Sequence, residues 1–480
     1  MRFFHGLSFN TKRNIFLVIG LLVSLLIGVF AFDLLGPVTI ILLSGFVLLQ
    51  IIYFNNPKST LYVLVAYCFT FGILAREIGG GVPYGTLIEV LICFTWIVAL
   101  IKVPVGNWKL VKNDLFYLLL IWFIISVLEI INPSGASVMG WLQEIRSAAL
   151  YPLILIPVVY VLFDSEKDLN RFLKLVIFLS VIAALNGVKQ LHIGLSAGEQ
   201  RFLDDGGAAT HLLFGQLRVF SFYSEAGQFG ASMAHICVVC LVLALGPFKW
   251  WKRVLLLMAA LLLFYGMLIS GTRGALFALI VGIFLAIGLS KKFKIILIGG
   301  AFAICCLAFL KYTSLGNGNY QVRRLRTALD PQDASLNVRM NTQRLLTEYM
   351  KPKPFGDGLG VIGNWGMKYN QDKFISTVQP DSYWVKVWVM YGIVGFIIWF
   401  GIMMYILGKC CGIVWNLKDP GLRIKGIALT AGFAGILFCS YGNEVINNMP
   451  SSIIVYISWV FVFISPRLER EIEARLNQQK

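Results

Sequence analysis

Runs of about 17 to 25 apolar residues, each long enough to cross the hydrocarbon core of a bilayer, recur along the chain from Asn14 to Ile464. Short polar joints separate them. The pattern predicts about fourteen spans, at 14–33, 35–53, 59–75, 85–101, 114–131, 147–163, 171–190, 219–247, 253–270, 273–290, 294–311, 381–408, 424–441 and 448–465. The expected fold is all-α, a polytopic integral membrane bundle of about 12–14 helices. It reads as one membrane domain over residues 1–480, with a long, partly helical outer loop, 312–380, inserted between spans. The first run lacks a small-residue cleavage site and a second follows almost at once, so it reads as a retained span in a chain beginning at Met1.

Composition agrees. With 58% hydrophobic and 14% charged residues and a mean hydropathy of +0.78, a soluble globular fold would leave too much apolar surface in water. The formal charge of +17 would suggest nucleic acid in a soluble protein. Here the cations sit between spans, so no nucleic-acid partner is expected. Alternate joints are cation-rich: Lys12 and Arg13, Lys58, Lys102 to Lys112, Lys167 to Lys174, Lys249 to Arg253, Lys291 to Lys294, Lys409 to Lys425, and the tail from Arg467. The positive-inside rule puts that set, and both termini, in the cytoplasm, and the loop 312–380 outside.

The nine cysteines lie in spans or at their cytoplasmic ends, which argues against a disulfide framework or a thiolate metal site. Cys237-x-x-Cys240 sits mid-span among Val and Leu and reads as packing. Within the outer loop, Tyr320–Leu329 and Val338–Met350 show helical patterns, the second stopped by Lys351-Pro352-Lys353-Pro354. The glycine-rich stretch that follows, with Gly356, Gly358, Gly360 and Gly363, lacks βαβ flanks and reads as a tight turn, not a nucleotide loop.

Charges inside spans are costly and mark pathways or reaction sites. Asp33, Glu89, Glu129, Arg146, Arg218, Glu225, Arg273, Asp381, Lys386 and Glu444 all fall toward the outer ends of their spans, and only His235 nears the middle. That distribution points to chemistry at the outer face over a continuous transport path. Arg218, Ser221, Glu225, Gln228, Ser232 and His235 follow at spacings of three and four, which predicts one polar stripe along a helical eighth span. Its inner members suit interhelical hydrogen bonding, and Arg218 and Glu225 suit a site. Arg273, after Ser270-Gly271-Thr272 and before Gly274, is either an anion clamp at a helix start or an interfacial arginine reaching to headgroups.

The chain resembles the O-antigen ligases and Wzy-type O-antigen polymerases, bacterial membrane glycosyltransferases of the GT-C type, over about its second half. The likeness rests on Arg218 opening Arg-Val-Phe-Ser-Phe-Tyr-Ser-Glu-Ala-Gly, the Ser270 to Gly274 entry, and Pro354-Phe-Gly356-Asp-Gly358-Leu-Gly360, similar to the family's Pro-x-x-Gly-x-Gly. It rests most sharply on Asp381, Ser382, nine residues, Gly392, two residues and Gly395, where the ligases have His, then Asn, Ser or Gln, with the same spacing. The resemblance implies transfer of an undecaprenyl-diphosphate-linked glycan to an acceptor hydroxyl at the periplasmic face of the bacterial inner membrane, with no metal and no cofactor. Polymerase is the leading expectation and ligase the alternative.

Chemistry assigns the roles. Arg218 and Arg273 would bind the diphosphate, Arg339 or Arg344 arriving from the loop, and Asp381 or Glu225 would act on the acceptor hydroxyl beside Ser382. Asp381 equally suits a cap on a glycine-packed helix shared with Trp388, Gly392 and Gly395. The partners expected are the lipid-linked donor, a glycan or lipid-linked acceptor, membrane lipid, and a chain-length regulator protein. A lipid-linked oligosaccharide flippase is the rival; it should show related halves and ionisable groups at both depths.

Overall fold

The computed structural model describes residues 56–79, 84–213, 215–291, 334–380 and 382–478, with scattered positions between 300 and 326. The predicted spans 14–33 and 35–53 lie outside the described residues, as do most of 294–311 and of the helical pattern 320–329.

The described chain is nearly all helix, and nine helices in it are long and apolar enough to cross a membrane. They are α1 (Ser59–Ile78), α3 (Asp114–Ile131), α4 (Val138–Leu162), α5 (Glu166–His192), α6 (Ala226–Ala244), α7 (Trp250–Ile269), α10 (Tyr383–Asn416), α11 (Pro420–Cys439) and α12 (Ser451–Gln478). Two shorter helices, α2 (Thr86–Lys102) and α8 (Arg273–Leu289), complete the bundle, and α9 (Ala334–Met350) lies in the long loop. A two-residue antiparallel pair, Leu212–Leu213 with Gln216–Leu217, is the only strand pairing among the described residues. Each predicted span from 59 onward, apart from 294–311, overlaps one of these helices. The largest boundary differences are at α12, which runs to Gln478 instead of 465, and at α4, which begins at Val138 instead of 147 and passes through a π-helical turn, Arg146–Leu150, where Arg146 reaches Glu89.

Burial separates a centre from a rim. The apolar window of α6 is 89% buried, whereas those of α3 and α7 are 22% and 28% buried, so α6 is the axis of the bundle. Small residues make that possible. Gly266 of α7 lies against Met233, Gly282 of α8 against Val238, and Gly432 of α11 against the ring of His235. The rim helices turn apolar side chains outward, including Ile121 and Ile124 on α3 and Leu257 and Leu261 on α7. In water this would be a liability; against lipid it is the expected surface.

Ion pairs gather at both ends of the bundle. At one end Lys58 bridges Asp164 at 2.5 Å and Asp168 at 2.6 Å, Lys425 meets Glu166 at 2.6 Å, and Lys409 meets Asp114 at 3.0 Å. Arg253 and Arg423 cap the terminal carbonyls of Ala244 and Leu289 there. At the other end α4, α6, α8, α10 and α12 all begin. The alternation of joints read from the sequence is thus the alternation of the helices.

Candidate functional site

The site end is organised around one short turn. Ser270-Gly271-Thr272 joins α7 to α8, with Gly271 at φ +59, so only three residues separate the two helices. Gly230 of α6 has no side chain because the Ser270 side chain fills that space. The Thr272 hydroxyl donates to the Ala226 carbonyl at 3.0 Å and accepts from Arg218 Nη2 at 3.4 Å. The first turns of α6 and α8 therefore stand side by side beneath Arg218, with Arg273 as the first residue of α8. Two helix starts and two arginines thus stand together here, with Glu225 at the N-cap of α6 beside them.

Arg218 does not lie on a helix, which corrects the predicted stripe. Helix α6 begins at Ala226, and Glu225 is its extended N-cap residue. Residues 218–225 form a folded segment, with Ser221 at φ +50. The reason is a residue from another helix: Arg76 of α1, stacked 4.8 Å over Phe220, donates to the Ser221 and Tyr223 carbonyls. Gln190 accepts from the Ser221 amide at 2.8 Å. Those backbone groups are satisfied without helix formation, so the apolar run 219–247 holds a helix in its second part only. Gln228, Ser232 and His235 do sit on α6, all buried.

His211 supports the same corner. The Arg218 amide donates to the His211 carbonyl at 2.7 Å and Arg218 Nη1 to the Thr210 carbonyl at 3.0 Å. The ring accepts from the Ala226 amide through Nε2 at 3.3 Å, and its Nδ1 faces the Gly207 carbonyl at 2.9 Å. Burial holds the imidazole below its ordinary value, and Arg218 and Arg76 push the same way against the Gly207 bond.

The turn between α11 and α12 closes the site from the far side. Asn443 packs on Gly274, immediately after Arg273, and its Oδ1 would be 3.6 Å from a Cβ at Gly227. Arg339 of α9 reaches Gly442, its Nη1 3.8 Å from where a Cβ would stand. Arg218, Arg273 and Arg339 thus share one neighbourhood, built from the starts of α6 and α8 and the 442–444 turn. Arg344 does not join them; it is exposed on α9, whose Gln343 faces Tyr441.

Beside that turn lies a charged cluster absent from the predicted site. Lys386 of α10 is 3.0 Å from Glu144 of α4 and 3.3 Å from Glu444. Glu144 and Lys386 are buried, and the Glu444 side chain is 23% exposed. Burial pushes the Glu444 carboxyl up to about 7; Lys386 opposes the rise, and Glu144 and Glu225 add to it. Lys386 and Glu444 carry a sequence signal, as charges at outer span ends. Glu144 carries none, since the apolar run was counted from 147.

The glycine-rich stretch is the tight turn expected, and the structure shows what it grips. Helix α10 breaks at Gly392, at φ +69 and ψ −174. The freed carbonyls of Val389 and Met390 accept from the Asp357 and Gly358 amides at 2.9 and 3.0 Å, and the Val394 amide donates to the Pro354 carbonyl at 3.2 Å. The Pro354 to Gly360 stretch and the Ser382 to Gly395 stretch are two halves of one joint. Lys353 and Tyr349 lock it by bonding the Asp357 carboxylate, each at 2.7 Å. Burial raises that carboxyl but these bonds outweigh it, holding it below the usual carboxylate range. Gly363 then passes over Lys386, its Cβ position 3.8 Å from Nζ.

Asp381 lies outside the described residues. Its neighbour Ser382 is the N-cap of α10, accepting from the Val385 amide at 3.3 Å, so the capping role belongs to the serine. The Tyr383 amide donates to the Ser440 carbonyl at 2.9 Å, which joins this helix start to the turn carrying Asn443 and Glu444. Glu225 is exposed at the start of α6 and near enough to Glu444 to act on its charge.

The family model for the O-antigen ligase domain matches residues 256–400, under a third of the chain. That stretch holds Arg273, Arg339, the 354–360 turn, Ser382 and Gly392, and leaves out Arg218, Glu225 and Glu444. A curated relative, the O-antigen polymerase of Salmonella muenchen, is 23% identical over 270 residues, 53% of this chain and 64% of the relative, so the match spans less than two thirds of that protein's length. Part of this chain is therefore similar to the O-antigen ligase domain and to an O-antigen polymerase, in agreement with its all-helical membrane architecture.

Proposed function

We propose that the protein is a glycosyltransferase of the bacterial inner membrane that moves a glycan from an undecaprenyl-diphosphate carrier to an acceptor hydroxyl, most simply as a polymerase of surface polysaccharide. The observation that carries this reading is that Arg218, at the starts of α6 and α8, Arg273, the first residue of α8, and Arg339, beside the 442–444 turn, border one neighbourhood. When the bond between the anomeric carbon and the diphosphate breaks, negative charge gathers on the phosphate oxygens. Guanidinium groups and helix-start amides set in place beforehand stabilise that charge without reorganising. Asp381, at the position the ligases fill with histidine, acts on the acceptor hydroxyl as its base or as the group that orients it, with Glu225 competing and Ser382 alongside. No step in this scheme calls for a metal or cofactor. Both termini face the cytoplasm, and the site faces the periplasm.

Ligation to a lipid acceptor uses the same donor chemistry, so the acceptor decides between the two. The test is complementation of a strain lacking this gene. The intact protein should restore a ladder of polymer lengths on the cell surface; Asp381→Asn, which keeps size and loses basicity, should not. A single repeat joined to the lipid acceptor would favour ligase, and wild-type polymer from Asp381→Asn would remove Asp381 from the chemistry.

A further inference from the structure

The cations account for the leaving group, and the acceptor's proton still needs a destination. Two carboxylates share one ammonium at the edge of the cationic site: Glu144 at 3.0 Å and Glu444 at 3.3 Å from Lys386. They are not equivalent. Glu144 is wholly buried, with Lys386 as its counter-charge, and burying it alone would be costly. Glu444 is partly open and follows Asn443, the residue packed between Gly227 and Gly274 at the two helix starts. One ammonium cannot neutralise both, and solvent or substrate reaches only the second.

We propose that Glu444 is the base that takes the acceptor hydroxyl's proton, with Lys386 holding its side chain toward the site and Asp381 orienting the hydroxyl. The inference rests on the glycosyltransferase reading given above. In the step, the acceptor O–H breaks and its proton goes to a Glu444 oxygen. The acceptor oxygen bonds the anomeric carbon as that carbon's bond to the diphosphate breaks, and the electron pair leaves with undecaprenyl diphosphate beside Arg218 and Arg273. The groups whose charge acts on Glu444 include Lys386 and Tyr383 from α10, Glu144 from α4 and Glu225 from the start of α6, and Arg273 of α8 and Arg339 of α9 border the same 442–444 turn. Their balance with burial leaves its carboxyl with a raised proton affinity, as a base working near neutrality needs.

The experiment uses the full-length protein in vesicles and the lipid-linked oligosaccharide extracted from the strain's own membranes. Transfer and donor binding are measured from pH 5 to 9. The wild type should show kcat/KM rising with pH through an acid limb. Glu444→Gln should bind the donor as the wild type does, lose transfer by about 100-fold or more, and lose the limb. Glu444→Asp should regain part of the rate and keep a limb, and Asp381→Asn should keep the limb at a rate too low to restore polymer in cells. A Glu444→Gln variant with wild-type rate, or with an unchanged limb, overturns the assignment. So does loss of donor binding, which would make Glu444 part of the fold. Absence of transfer by the wild type itself would instead defeat the glycosyltransferase reading.

Discussion

Gly356 and Gly392 meet backbone to backbone. A Cβ on Gly356 would stand 2.5 Å from the Gly392 amide nitrogen, a Cβ on Gly392 would overlap the Pro354 carbonyl, and both residues have positive φ, +82 and +69. No side chain fits on either side of the joint that fixes the outer loop to α10. Gly392→Ala should therefore cost more than the ~1–3 kcal/mol of backbone strain alone, lowering the thermal midpoint in detergent and exposing residues 350–380 to protease. Gly288→Ala, at a position open to space within 4 Å on α8, is the control and should be neutral or slightly stabilising.

A second expectation concerns His211. Its folded-state proton affinity is depressed, and the neutral ring accepts from the Ala226 amide. The unfolded chain binds the proton more readily, so this stabilisation is present above the ordinary histidine value of 6.5 and is lost as pH falls from there through the folded value. Thermal midpoints measured from pH 7.5 to 5 should decline in the wild type and decline less in His211→Asn. Equal declines would place the sensitivity elsewhere.

The Lys386 cluster makes a stability prediction separate from its chemistry. Lys386→Met strands Glu144 in the interior and should cost about 3–5 kcal/mol. Adding Glu144→Gln should recover a substantial part of that loss, because the stranded charge is gone. Denaturation of the three variants in one detergent decides it; simple additivity would mean that the two residues do not act as a pair.

Topology is the fourth. On a cysteine-free background, Glu348→Cys, exposed on α9, should react with a membrane-impermeant thiol reagent added to whole cells, and Asn107→Cys, exposed between α2 and α3, should react only after lysis. The reverse pattern would turn the bundle over and move the arginine site to the cytoplasm.

The membrane architecture was legible because a run of twenty apolar residues has one economical solution, and Trp250–Ile269 or Pro420–Cys439 could hardly be anything else. The glycine spacing was legible too, though only as two separate stretches; that Gly356 and Gly392 interlock is a tertiary fact. Arg218 was placed on a helix wrongly, because periodicity cannot show that Arg76, from another helix, takes the carbonyls of Ser221 and Tyr223 and delays α6 to Ala226. Glu144 escaped notice because its significance lies in Lys386, a residue remote in sequence. Arg344 was chosen for its charge, and the helical phase of α9 turns it away while Arg339 approaches Gly442.

The central claim is that Arg218 and Arg273 hold the diphosphate of a lipid-linked glycan during transfer. The most direct measurement is glycan transfer by purified protein in vesicles from the extracted lipid-linked oligosaccharide, with the wild type compared with Arg218→Ala and Arg273→Ala. The account predicts product from the wild type, loss of at least about 100-fold in each variant, consistent with removing a preorganised charge stabiliser, and unchanged thermal midpoints. Wild-type transfer by Arg273→Ala would contradict it.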